Sequence, residues 1–207
     1  MAAQEQASTM TSHPWELREG DKAPEAGPTC RICFVGEAAE KLCMPCPCRG
    51  SLQYVHMSCL RAEFLARKEW TSLLCSICKN EFTREAGLEL ARLAVERAEA
   101  EWGATAVGTL VTADHLGRLL SSAGKFEEAE PLLRRAVEGL ERSLGSEHQE
   151  VLIAASNLGG LLQSRGQPEE AEPLVRRAWE GSAAAHGEDH AETLVFAMNL
   201  GQVLVEL

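Results

Sequence analysis

Cys30-Arg-Ile-Cys33, Pro45-Cys46-Pro-Cys48-Arg-Gly-Ser-Leu-Gln-Tyr-Val-His56-Met-Ser-Cys59-Leu60 and Cys75-Ser-Ile-Cys78 together place seven cysteines and one histidine within 49 residues. The ligand types fall into four close pairs: Cys30 with Cys33, Cys46 with Cys48, His56 with Cys59, and Cys75 with Cys78. A segment this poor in aliphatic side chains cannot bury enough surface to fold alone. Zinc takes four thiolate or imidazole ligands tetrahedrally and ties distant parts of a loop together. Four pairs suit two zinc ions. A disulfide framework or scattered buried thiols would not produce such ordered pairs.

The residues around the pairs resemble the RING-CH (RING-variant) zinc finger of membrane-associated ubiquitin ligases, through to Cys75-Ser-Ile-Cys78-Lys-Asn-Glu-Phe82. The resemblance implies a cross-brace. Cys30, Cys33, His56 and Cys59 would then hold one zinc, and Cys46, Cys48, Cys75 and Cys78 the other. The PHD finger uses the same ligand types, but its third and fourth ligands are usually two residues apart and a tryptophan precedes its seventh ligand by two. Here one residue separates Cys46 from Cys48, and Leu73 stands at the tryptophan position. Cys43 is left as a loop cysteine without a zinc role.

The same resemblance marks Ile32 as a contact for a ubiquitin-conjugating enzyme and Lys79 as a basic group reaching the ubiquitin thioester. Family members commonly carry a tryptophan four residues after the sixth ligand, where this chain has Glu63; Phe64 or Trp70 would have to substitute for it. Tyr54-Val55-His56 reads as a short strand, and Met57 to Lys68 as a helix with Leu60, Phe64 and Leu65 on one side.

From Thr83 the pattern turns helical, and it repeats. Gly124-Lys-Phe-Glu-Glu-Ala129-Glu-Pro-Leu-Leu-Arg-Arg-Ala136 recurs 42 residues later as Gly166-Gln-Pro-Glu-Glu-Ala171-Glu-Pro-Leu-Val-Arg-Arg-Ala178. Leu116-Gly117, Leu158-Gly159 and Leu200-Gly201 keep the period, as do Gly103, Gly145 and Gly187. Self-similarity on this scale implies a solenoid. The Leu-Gly-x-x-Leu helix, followed by a helix with small residues at packing positions, fits tetratricopeptide repeats rather than HEAT or armadillo repeats. The Gly-x-x-Glu-Glu-Ala-Glu-Pro-Leu phrase resembles the repeats of kinesin light chain. Pro131 and Pro173 fall inside the second helices, close enough to their starts to bend them only slightly.

The expected fold is therefore a small α+β zinc cross-brace followed by an all-α tetratricopeptide-type solenoid. Residues 1–29 read as a disordered tail with a single notable aromatic, Trp15; residues 30–82 as the zinc finger; 83–103 as a half-repeat helix joined without a flexible linker; and 104–207 as repeats, the last incomplete. The apolar face of that last helix implies either a truncated product or an open edge for self-association. First helices of tetratricopeptide repeats line a groove for extended peptides, which makes His115, Asn157 and Asn199, at one equivalent position, the candidate peptide-binding residues. Arg134-Arg135 and Arg176-Arg177 read as exposed face.

The composition is that of a soluble globular protein, 45% hydrophobic and 25% charged. Its net charge of −11 repels phosphate backbones, which argues against nucleic acid. No apolar run is long enough to span a bilayer, and reduced thiolate ligands suit an intracellular, cytoplasmic setting. The expected function is a ubiquitin-protein ligase that docks a ubiquitin-loaded conjugating enzyme while its repeats hold a peptide or protein substrate. The alternative is a non-catalytic, zinc-stapled scaffold.

Overall fold

The computed structural model describes residues 27–37, 40–68, 71–82 and 84–207. The tail up to residue 26, with Trp15, and also Trp70, lie outside the described residues.

The first unit has little regular structure. Strand β1 (Leu42–Cys43) pairs antiparallel with β2 (Val55–His56), with Cys43 opposite Val55, and helix α1 (Met57–Ala66) follows β2 directly. Leu60 and Phe64 are fully buried on α1, whereas Leu65 is exposed, so the expected apolar side is narrower than its spacing suggested. The helix also stops before Lys68. Arg67 turns extended, its N–H bonding to Phe64 O, and its guanidinium donates to Leu74 O at 2.8 Å and to Glu63 Oε1 at 2.7 Å.

Six longer helices follow: α2 (Arg84–Trp102), α3 (Val107–Ser122), α4 (Phe126–Leu144), α5 (Gln149–Ser164), α6 (Pro168–His186) and α7 (Ala191–Glu206). They stack as consecutive antiparallel neighbours, with α3 and α5 also touching across the repeats. α4 and α6 run unbroken through Pro131 and Pro173. Each ends at a glycine with positive φ, Gly145 at 88° and Gly187 at 92°, where a side chain would be strained.

Glycines inside the helices set the distance between paired helices. A methyl at Gly117 would come within 2.7 Å of Leu133, and one at Gly159 within 2.5 Å of Val175, so the second helix of each pair seats a side chain in the gap on the first. Polar ties between repeats share the period. Arg135 bonds to Glu99 at 2.8 Å and Arg177 to Glu141 at 3.0 Å, which makes the second arginine of each pair a strut rather than a free surface charge.

The zinc-finger unit and the solenoid meet without a gap. One buried core runs from Cys30 through Phe64, Phe82 and Leu90 to Val203. Gly87 lets α2 start against Phe82, whose carbonyl oxygen would be 2.5 Å from an added methyl. Arg61 pairs with Glu89 at 3.1 Å, Arg97 donates to Leu65 O at 2.8 Å, and Arg118 reaches Glu81 at 3.1 Å. Among the described residues no helix is long and apolar enough to cross a membrane.

Candidate metal centre

The end of β2, the first turn of α1, the loop that carries Cys46 and Cys48 and the two Cys-x-x-Cys knuckles gather the ligand-type residues into two tetrads. The side-chain donors of Cys30, Cys33, His56 and Cys59 lie within 4.8 Å of one another, as do those of Cys46, Cys48, Cys75 and Cys78. The alternation of pairs along the chain is that of a cross-brace.

The spacing fits tetrahedral zinc. Zn–S bonds of about 2.3 Å and Zn–N bonds of about 2.0 Å put sulfur atoms about 3.8 Å apart and sulfur and nitrogen about 3.5 Å apart. Cys48 and Cys75 are separated by 3.8 Å, and Nδ1 of His56 lies 3.3 Å from Cys33 and 3.9 Å from Cys59. Nε2 of His56 meets the Gly36 carbonyl at 3.1 Å, so this ring nitrogen carries the proton and Nδ1 is left with its lone pair toward the sulfurs.

The electrostatics call for a cation. Burial works against a thiolate at Cys30, but amide N–H groups of Cys33, His56 and Ile32 outweigh it and hold the thiol at about 6. The Asn80 amide and its neighbours hold Cys78 near 6 as well. Their partners move the other way: burial and then the crowding of sulfurs push Cys59 up to about 11 and Cys48 to about 12. Three or four sulfurs this close cannot all ionise unless a positive ion offsets their repulsion, and thiolates are what zinc requires.

Cys43 is half-buried outside both tetrads, its thiol donating to Val55 O at 3.2 Å. Among the surface candidates, Ile32 is half-buried beside Cys30, and Lys79 is exposed at φ 58° with its N–H closing a turn onto Cys75 O. Phe64 is fully buried and presents no surface to a partner. Glu63 is held at Oε1 by Arg67 and by Ser76 Oγ at 2.9 Å, and these bonds overcome burial to keep its carboxyl below the usual range. It borders an open cleft of about 440 Å³ lined also by Arg67, Lys68, Ser72 and Lys79.

On the repeats, His115 is half-buried, and burial lowers its pKa from the ordinary imidazole value. Asn157 and Asn199 are committed to the preceding repeat: Asn157 donates to Asp114 Oδ2 at 2.8 Å and Asn199 to Ser156 Oγ at 2.9 Å. Sequence reasoning missed the roles of Asp114 and Arg31 and the tie between Glu63 and Arg67. Asp114 breaks the apolar run of α3, which was a usable signal. Arg31, whose guanidinium reaches the second tetrad, and the Glu63–Arg67 pair carry no periodic signature.

Residues 30–78 match the RING-variant domain family and residues 110–184 a tetratricopeptide repeat family. The chain thus carries a RING-variant domain followed by tetratricopeptide repeats, and its two Cys/His tetrads are those of a RING cross-brace, which binds two zinc ions.

The first unit is similar to curated ubiquitin ligases. E3 ubiquitin-protein ligase MARCHF11 of Rattus norvegicus is 40% identical over 60 residues, 29% of this chain and 15% of that protein. MARCHF2 of Homo sapiens is 41% identical over 66 residues, 30% of this chain and 24% of that protein. MARCHF8 of Xenopus tropicalis is 34% identical over 82 residues, 39% of this chain and 30% of that protein. The chain therefore spans less than a third of the length of these relatives. Among solved structures, BtubC (BKLC) from P. vanneervenii aligns with a TM-score of 0.53 at 23% identity, over 58% of this chain and 48% of that one, a likeness of fold.

Proposed function

We propose that this protein is a RING-CH-type ubiquitin-protein ligase whose repeats recruit the substrate. The observation that carries the reading is the pair of interleaved tetrads inside a segment 34–41% identical to curated E3 ligases. Cys30, Cys33, His56 and Cys59 hold one zinc in this reading and Cys46, Cys48, Cys75 and Cys78 the other; the ions supply structural cross-links. Ile32 and Lys79 then contact the conjugating enzyme and its ubiquitin. No nucleophile is needed: the module orients the thioester for attack by a substrate lysine, so catalysis is positioning. In this reading the first helices of the repeats, α3, α5 and α7, receive the substrate, with His115 as a contact.

A second reading, a non-catalytic zinc-stapled scaffold, is favoured by Glu63. Where a flat apolar side chain would face a conjugating enzyme, this chain has a carboxylate already bonded to Arg67 and Ser76. Ubiquitin discharge from a broad panel of loaded conjugating enzymes tests the two. Stimulation by the zinc-loaded protein supports the ligase, and no stimulation across the panel leaves the scaffold.

A further inference from the structure

The two tetrads differ in charge. With zinc bound, three thiolates and a neutral imidazole leave an excess of one negative charge at the first, and four thiolates leave an excess of two at the second. An all-thiolate centre is stable when nearby donors take up part of that charge.

Arg31 is placed to do so. It sits between Cys30 and Cys33, in the knuckle of the first tetrad, yet its side chain crosses to the second. Nη1 lies 3.8 Å from Cys46 Sγ and Nη2 3.7 Å from Cys75 Sγ, so one guanidinium donates to two of the four sulfurs. The fork is held from both ends: Nη1 also donates to Leu52 O at 2.7 Å, and the backbone N–H of Arg31 donates to Tyr54 O at 3.0 Å. A planar fork held this way delivers a fixed charge, which a flexible lysine does less well. The first tetrad's sulfurs instead meet the backbone N–H groups of Ile32 and His56 and Nδ1 of His56.

We infer that Arg31 is a positioning residue for the second zinc: its guanidinium offsets the charge of the four-cysteine centre and, from its place in the first knuckle, ties the occupancy of one metal site to the folding of the other. The inference rests on the reading of both tetrads as zinc sites. It is specific to the second site, because a loss of fold alone would loosen both.

The test uses the full chain loaded with zinc, unaltered and as Arg31→Gln and Arg31→Lys. Each protein is challenged with a metal chelator, and freed thiols are alkylated and mapped by mass spectrometry over time. Arg31→Gln, which removes the charge but keeps a polar side chain, should expose Cys46, Cys48, Cys75 and Cys78 about 10- to 100-fold faster, the usual effect of losing an outer partner of a metal ligand. Cys30, Cys33 and Cys59 should react at unaltered rates, and Arg31→Lys should restore part of the protection. Uniform acceleration at all seven cysteines, or none, overturns the role of Arg31. An unaltered protein holding fewer than two zinc ions by elemental analysis overturns the zinc reading itself.

Discussion

Asn157 on α5 donates to Asp114 on α3 at 2.8 Å, and the other carboxylate oxygen of Asp114 has no partner among the described residues, in a side chain that is only 3% exposed. One repeat later Asn199 makes the same bond to Ser156, a neutral hydroxyl. The same tie between repeats is thus made once with a buried acid and once without. Burial pushes the Asp114 carboxyl up to about 7, with the Asn157 amide and Arg118 pulling it back and Glu150 adding to the rise.

Asp114→Ser should stabilise the protein above neutral pH. An acid whose folded pKa is raised to about 7 from 3.8 stays protonated in the fold where the unfolded chain has ionised it, so this group lowers stability as pH rises through that window and no further above it. The serine removes the effect while keeping an acceptor for Asn157. Denaturant unfolding at pH 6 and pH 8 should show the advantage of Asp114→Ser over the unaltered protein growing by about 1 kcal/mol. An advantage that does not change with pH would mean that Asp114 is already ionised in the fold.

The seat on which each second helix rests gives a paired prediction. Gly159 and Gly201 occupy the same place in successive repeats, but a methyl at Gly159 meets Val175 at 2.5 Å, while one at Gly201 meets nothing within 4 Å. Gly159→Ala should therefore cost about 1–3 kcal/mol by overpacking. Gly201→Ala should gain about 0.5–1 kcal/mol from helix propensity. Thermal melts of the two variants should move in opposite directions.

How much of this was legible beforehand depends on which residues carried the information. The ligand pairs and the 42-residue period are local patterns, and both appear in the structure as interleaved tetrads and stacked helix pairs. Asn157 and Asn199 were legible as equivalent positions, but their partners lie 43 residues away, so a groove amide and an inter-repeat tie looked alike until α3 and α5 were packed. Leu65 illustrates the limit of spacing on a ten-residue helix, where one apolar residue beside the seam points to water. Arg31 was hidden for a related reason: its neighbours in sequence belong to one tetrad and its guanidinium to the other.

The metal assignment separates Cys43 from the other cysteines. Cys43→Ser should retain two zinc ions per chain, because its thiol lies outside both tetrads and donates to Val55 O, a bond that a hydroxyl can also make. Cys48→Ser should lose one. A chelator should then abolish the order of the β1–β2 and α1 unit while leaving most of the helical circular dichroism, which comes from α2 to α7. Retention of both ions in Cys48→Ser would contradict the four-cysteine site.

Ile32→Ala and Glu63→Gln together decide between ligase and scaffold. Ile32 is half-buried between two ligands, and its amide already serves Cys30 Sγ at 3.4 Å, so trimming its side chain leaves the knuckle's backbone bonds in place. If the surface around it receives a conjugating enzyme, Ile32→Ala should reduce ubiquitin discharge by tenfold or more, the loss of about 1.4 kcal/mol of contact, with zinc content and binding at the repeats unchanged. Glu63→Gln keeps an oxygen for Arg67 and Ser76 and removes only the charge. An enzyme that presents a basic group to Glu63 would discharge more slowly with this variant, and one that presents an apolar surface would discharge faster. Equal rates for all three proteins in the presence of activity would place the conjugating enzyme on a different face of the zinc module.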